Sequence, residues 1–298
     1  MIFKKLSLED KNTIDKYISP YKFLSCEYSF TSLYIWKDAC DVQYTIYNQA
    51  LILKKKDFDG NYHFMQPLGY ESEELGDIID NLKKYREENN MKYLFKDLDE
   101  SFIEEFNVLL NEKNGFYIKE DRDNFDYLYE AKKLMTLSGK KLHSKKNHYN
   151  AFIKNYNYEV VEITDERVIN DVVVASQKWY DEINEKDIKL YYELLAIKDI
   201  INNMNLLNLK GVAVYVDGKV AAFSIGESLN EKLAIIHIEK GDRNINGIYS
   251  FIAKALIDKC FNNAEIINRE QDLGIDGLRK SKMSYYPLKL EKKFILSF

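Results

Sequence analysis

The sequence predicts an α/β (α+β) fold laid out in two halves, and three observations carry that reading. At 298 residues the chain exceeds one ordinary core and suits two domains of roughly 130–160 residues. Short alternating strand patterns are interleaved with helical spacing along its whole length. The order of elements in the first half, hairpin, strand, turn, helix, strand, helix, strand, partly recurs in the second. No residue-level repeat accompanies it, so duplication rests on element order alone. The expected halves are 1–130 and 131–298.

Taken in order, residues 6–18 read as a short helix, with Ser7 as cap and Glu9 and Asp10 in the first turn. Residues 28–36 are aromatic and fit helix or strand. Strands are expected at 43–47 and 50–54, then at 62–65 after the Asp59-Gly60 turn. Leu75, Ile78, Ile79 and Leu82 keep helical spacing. Residues 93–95 form a short strand. Phe102, Phe106, Leu109 and Leu110 mark a helix stopped by Asn114-Gly115. Residues 116–129 read as one extended, acid- and aromatic-rich stretch.

A basic helix from about Gly139 follows, with Leu142, Tyr149, Phe152 and Ile153 near its buried side. Lys145, Lys146, Asn147 and His148 fall on an exposed edge. After a strand at 158–163, Thr164 is placed to cap a helix running through Trp179-Tyr180. A second helix carries Leu190, Leu194, Ile197, Ile201 and Met204. The clearest hairpin spans 211–227 around Asp217-Gly218, because an Asp-Gly turn matches the twist of paired strands. A third strand covers 233–239, and Ile248, Phe251, Ile252, Ala255 and Leu256 mark the helix after it. Residues 266–287 read as strand, polar elbow, short basic helix capped by Asp276, and a Tyr-Tyr-Pro exit. Residues 288–296 close the second half as a strand.

Composition bounds the function. Hydrophobic content of 46% with 14% aromatic residues is globular, not disordered. Cys26, Cys40 and Cys260 lack CxxC spacing and are odd in number, which argues against a disulfide framework or a zinc site. The four histidines, at 63, 143, 148 and 237, are too scattered to suggest a metal. No stretch approaches the ~18 apolar residues of a spanning helix, and the N-terminus has no signal-like core. A cytoplasmic protein without a transmembrane segment is expected. Net charge of −5 argues against a general nucleic-acid coat, yet residues 131–154 hold seven lysines and no acid.

The second half orders its elements as helix, helix, hairpin, strand, loop, helix, strand, helix, strand. That order is similar to the GCN5-related N-acetyltransferase superfamily, whose loop before the central helix cradles the donor's phosphates on backbone N–H groups. The corresponding loop here, Arg243-Asn244-Ile245-Asn246-Gly247-Ile248-Tyr249, has its glycine one place late and Tyr249 where a small residue belongs. Gly247 and Tyr249 are therefore the candidate cofactor-binding positions, and Tyr249 crowds a phosphate's approach.

Three blocks carry a closer resemblance: GKKLHSKKNHYNAF (139–152), HIEKGDRNINGIYSF (237–251) and NREQDLGIDGLRKSKMSYYP (268–287). Together they resemble the C-terminal domain of phosphatidylglycerol lysyltransferases. The resemblance implies tandem acetyltransferase-like domains, each a mixed, mainly antiparallel sheet flanked by helices. It also implies transfer of an aminoacyl group from charged tRNA to a hydroxyl or amine acceptor, whether small molecule, peptide or lipid.

Such a transfer needs a base for the nucleophile and stabilisation of the oxyanion. Glu239 and Asp272, at the ends of adjacent strands, are the candidate carboxylates, one as base or holder of the donor's α-amino group. Tyr285 is the candidate proton donor to the leaving group, with Tyr286 as a substitute. Lys145, Lys146, Asn147, His148, Asn268, Glu270, Arg279, Lys280 and Lys282 are the candidate substrate-binding residues. Simpler readings stand beside these. Glu239 can pair with Lys240 or Arg243, Asp272 with Arg269 or Arg279, and His237 fits a hydrogen-bonded core residue. A coenzyme A-dependent N-acetyltransferase using acetyl-CoA and a non-catalytic ligand- or RNA-binding module are the alternative functions.

Overall fold

A computed structural model describes residues 1–110 and 116–297. The Asn114-Gly115 helix stop lies outside the described residues. By contact density the chain divides into two compact units, one made of Met1–Phe125 with the residues from Glu291 onward, the other of Asp126–Leu290.

The first unit opens with β1 (Lys4–Lys5), a 3-10 turn and α1 (Lys11–Ile18). Ser7 and Asp10 bond to each other at that turn: the Ser7 N–H and hydroxyl each donate to the Asp10 carboxylate at 2.8 Å, and the Asp10 N–H donates to the Ser7 carbonyl at 3.1 Å. The ambiguous aromatic stretch is helical, as α2 (Phe30–Ile35), because Ser29 accepts from the Ser32 N–H and caps it. Then come β2 (Gln43–Tyr47), β3 (Ala50–Lys56), β4 (Tyr62–Phe64), α3 (Leu75–Glu88), β5 (Phe95–Leu98), α4 (Glu100–Leu110) and β6 (Tyr117–Glu120). The four apolar residues read from the α3 pattern are all buried in one core with Phe64, Phe95 and Phe102.

The second unit contains β7 (Asp126–Glu130), α5 (Ala131–Thr136), α6 (His143–Asn155), β8 (Tyr158–Glu162), α7 (Glu166–Asp181), α8 (Ile188–Asn202), α9 (Met204–Leu207), β9 (Lys210–Val216), β10 (Lys219–Ser228), β11 (Leu233–Gly241), α10 (Ile248–Cys260), β12 (Ile266–Asn268), α11 (Asp276–Met283) and β13 (Lys289–Glu291). The last strand, β14 (Phe294–Ser297), returns to the first unit, where it pairs with β5 and β6. The single closing strand expected over 288–296 is thus two strands in two sheets, broken at Lys292-Lys293.

Sheet order is β1-β2-β3-β4-β5-β14-β6 in the first unit and β13-β7-β12-β11-β10-β9-β8 in the second. Each sheet has a parallel pair, β4 with β5 and β11 with β12, joined through α3 and α10 respectively. The neighbouring ladders are antiparallel. In the second sheet, α5, α6 and α10 pack on the face that presents Ala222, Ala234 and Ile236. Trp179 of α7 stacks on Phe223, the next residue along β10 and so on the opposite face.

Three local expectations are corrected, two of them by a single residue. Asp165, not Thr164, caps α7, accepting from the Val168 N–H at 3.0 Å. Asp276 is the first helical residue of α11, not its cap, and its charge sits in the first turn where the helix dipole favours it. Residues 116–129 are not one strand: a 3-10 turn at Arg122–Asn124 separates β6 from β7. Cys26, Cys40 and Cys260 are not joined in disulfides. Among the described residues no helix is long and apolar enough to cross a membrane. Among them, too, no cluster of three or more His, Cys, Asp or Glu side chains is placed to hold a metal ion.

Candidate functional site

The site in the second unit begins with a divergence of strands. β11 and β12 pair only through Leu233–Ile266, Ala234–Ile267 and Ile235–Asn268. Beyond that point β11 runs on to Gly241, while the chain after Asn268 turns away through an elbow. Glu270, Leu273 and Gly274 all take positive φ there (56°, 55° and 72°). Two of the three have side chains, so the backbone strain must be held by its surroundings.

Buried hydrogen bonds hold it. The Asn268 amide donates to Asp126 at 2.9 Å and accepts from the Glu270 N–H at 2.6 Å. Lys282 Nζ donates to the carbonyls of Arg269 and Gln271 at 2.5 and 2.6 Å. Asp272 is fully buried and receives Arg279 through Nε (2.9 Å) and Nη2 (2.8 Å), the Tyr127 hydroxyl (2.5 Å) and the Gly274 N–H (2.9 Å). Burial pushes the Asp272 carboxyl up, but these donors outweigh it and hold it well below the usual carboxylate range.

A bulge sets what faces the opening. Ile225 pairs with Ile238 and Gly226 with Ile236, so His237 is skipped. Strict alternation from Ile236 puts Glu239 on the α7–α8 face. The extra residue reverses this, and a Cβ on Gly241, two residues past Glu239, would lie 3.4 Å from Ile248 of α10. The His237 ring is anchored on both sides, Nδ1 to Glu270 (2.8 Å) and Nε2 to Glu227 (3.0 Å). Burial disfavours its charge, yet the two carboxylates prevail and the imidazole is pushed up to about 9. At neutral pH it donates from both nitrogens.

Glu239 therefore meets Arg269, which donates Nη2 to Oε1 at 2.8 Å. The guanidinium also sits 4.8 Å from the centre of the Tyr285 ring and 5.8 Å from that of Tyr129. From α6, Lys145 Nζ lies 4.3 Å from the centre of the Tyr285 ring. Burial, then the Arg269 charge, lowers the Lys145 ammonium pKa. Tyr285 is buried, its hydroxyl 3.4 Å from Ser250 Oγ. Two buried polar atoms in this cluster have no partner: Glu239 Oε2 and Arg269 Nη1. An unanswered buried polar atom costs about 1–3 kcal/mol, and here the open acceptor and the open donor belong to two side chains that pair through their other atoms.

The candidates named from the sequence fall into two sets. Glu239, Tyr285 and Lys145 come together. Asp272, Asn268, Glu270, Arg279 and Lys282 are engaged in holding the elbow, and Lys146, Asn147, His148 and Lys280 are exposed. Gly247 has φ 84°, and a Cβ on it would come within 2.2 Å of the His148 carbonyl oxygen, so α6 packing explains this glycine. Tyr249 donates its hydroxyl to the Gly241 carbonyl at 2.9 Å. Tyr129 and Ser250 escaped the sequence reading, and Arg269 entered it only as a partner for Asp272, whereas it pairs with Glu239. The one available signal was Arg269, a lone cation just past an apolar strand.

The first unit has a buried charge cluster of its own. Lys55 bridges Glu27 and Asp97, Lys96 bridges Asp57 and Asp121, and Lys293 reaches Glu27. Carboxylates and lysines answer one another there, while the buried His63, 3.8 Å from Asp57 and 3.4 Å from Asp97, has no hydrogen bond on either ring nitrogen among the described residues.

Two sheets, each with a helix-bridged parallel pair, define a tandem acetyltransferase-like fold. The tandem GNAT protein from the clavulanic acid biosynthesis pathway shares it at TM-score 0.55 and 7% identity, over 99% of this chain and 97% of that one. The family model described as phosphatidylglycerol lysyltransferase, C-terminal, matches residues 19–297, and the chain belongs to that family. A conserved protein of unknown function from Bacteroides thetaiotaomicron is similar at TM-score 0.89 and 29% identity, each chain covered in full (100%). The C-terminal domain of a putative lysylphosphatidylglycerol synthetase from Agrobacterium fabrum matches at TM-score 0.67 and 14% identity, over 98% of this chain and 92% of that one. An uncharacterized protein of Mycoplasmoides gallisepticum is 32% identical over 184 residues, 60% of this chain. The match spans 57% of that relative's length.

Proposed function

We propose that the chain is an aminoacyl transferase whose reacting groups meet at the divergence of β11 and β12. The observation that carries this is the half-buried Glu239–Arg269 pair, with one buried acceptor atom and one buried donor atom left open. An α-aminoacyl ester presents the matching pair, an ammonium for Glu239 Oε2 and a carbonyl oxygen for Arg269 Nη1. A plain acetyl group offers only the second. Family membership supports the same reading, and charged tRNA is the donor it suggests.

In this reading Glu239 holds the donor's amino group and Arg269 stabilises the oxyanion. Lys145, whose lowered pKa makes the neutral amine more accessible than in an ordinary lysine, takes the proton from the acceptor's hydroxyl or amine. The acceptor's oxygen or nitrogen bonds to the ester carbon and the bond to the donor ribose oxygen breaks. That oxygen receives a proton from the Tyr285 hydroxyl, which Lys145 restores. Asp272 acts as a positioning residue through Arg279. Lys146, Lys140 and Lys141, outside the niche, suit a phosphate backbone, whose affinity falls as salt rises.

Filter binding of charged and uncharged tRNA across a salt series tests it. Preference for charged tRNA is expected, with Glu239→Gln abolishing the preference while leaving uncharged tRNA binding unchanged. Equal binding of both forms by the unaltered protein overturns the reading. Tight acetyl-CoA binding by calorimetry replaces it with an acetyltransferase.

A further inference from the structure

On the face of the second sheet away from α10 lies a cavity of about 450 Å³, between α7, α8 and the loop from β11 to α10. Its apolar wall is Trp179, Tyr180, Leu190, Leu194 and Ile197. Lys240 Nζ of β11 reaches to Glu193 Oε2, which sits on α8 between Leu190 and Leu194, at 2.5 Å, with the side chains 30% and 25% exposed. The bulge at His237 accounts for this as well: it sends Glu239 to one face and Lys240 to the other. Tyr249 lines the cavity, and the Glu239 charge acts on its phenol, so the cavity and the niche are neighbours around the end of β11.

We infer that this cavity binds a zwitterionic α-amino acid with a bulky apolar side chain. Its volume lies at the lower end of small-ligand pockets, which suits a molecule of that size. Aromatic and branched aliphatic residues on one side take an apolar side chain. The Glu193–Lys240 pair beside them matches an ammonium and a carboxylate. A partly exposed ion pair contributes little to stability, so a ligand separates the two side chains at small cost. Glu182, Asp242 and Arg243 also line the cavity and set its remaining field.

The binding stands without the transferase reading, which supplies only the role. As acceptor, the amino acid's ammonium would first release one proton to solvent, and the neutral nitrogen would then bond to the donor's ester carbon. The ester C–O bond would break, the donor's oxygen would take one N–H proton, and an amide would result.

The chain has two tryptophans, Trp36 in the first unit and Trp179 in the cavity wall. In the full-length Trp36→Phe protein Trp179 fluorescence reports the cavity alone. Titration with L-phenylalanine, excited where phenylalanine does not absorb, is expected to give a saturable change. Glu193→Gln should weaken it at least ~10-fold, about the 1.4 kcal/mol of one charged contact. 3-Phenylpropionate, which lacks the ammonium, should bind more weakly to the unaltered cavity and equally to the Glu193→Gln one. Leu190→Phe, which fills the space, should abolish the response with the circular dichroism spectrum retained. No saturable response to L-phenylalanine, or equal binding of 3-phenylpropionate and the amino acid, overturns the inference. The tRNA experiment fails or succeeds independently of these outcomes.

Discussion

Lys145 shows how much one side chain's surroundings decide. Its neighbours Lys146, Asn147 and His148 are exposed, whereas Lys145 turns over the Tyr285 ring and beside a permanently charged guanidinium. A lowered ammonium pKa means that the neutral amine gains population as pH rises, earlier than for an ordinary lysine. Transfer rate is therefore expected to climb with pH through a midpoint below 10.5, the ordinary lysine value. Lys145→Arg, which retains charge and cannot deprotonate, should flatten that limb; an unchanged profile would exclude Lys145 as the proton acceptor.

His237 carries a stability prediction at the same scale. Its folded-state pKa is raised from 6.5 to about 9, so its contribution is fully present below about 6.5 and disappears as pH rises through about 9. Urea denaturation at a series of pH values should show stability falling by a few kcal/mol across that window. His237→Gln should remove the slope. A variant with the same slope as the parent would assign it to other groups.

At the scale of elements, the elbow after β12 is the feature with the most holding it. Asp272→Asn keeps the shape but removes the charge that receives Arg279, and is expected to cost about 1–3 kcal/mol in urea denaturation. A variant that lost turnover at undiminished stability would instead place Asp272 in the chemistry. The contact of α6 with the start of α10 gives a second prediction. Gly247→Ala meets both a positive φ and the His148 carbonyl, and is expected to lower stability by more than ~1 kcal/mol. Full stability in that variant would show that the loop yields freely.

For the molecule as a whole, the elements were readable because their signals are local. The α3 stripe, the Asp217-Gly218 turn (φ 49° and 74°) and the apolar face of α10 each follow from spacing or backbone preference within a few residues. The tandem fold and the family followed from the order of those elements and from three blocks of residues. The site was half legible. Glu239, Tyr285 and Lys145 were named, but so were Asp272, Arg279 and Lys282, because charge near a strand end reads the same whether it faces a ligand or its own backbone.

By itself, then, the sequence determined most of the strands, helices and turns, and the charges gathered at the ends of β11 and β12. Tertiary structure decided which of those charges stay open. A one-residue bulge at His237 turns Glu239 toward Arg269 and Lys240 toward Glu193, and nothing in IIHIEKG announces it, since a bulge arises from register against β10. The return of β14 to the first sheet was likewise invisible, because β-pairing joins residues far apart in the chain and leaves no local pattern.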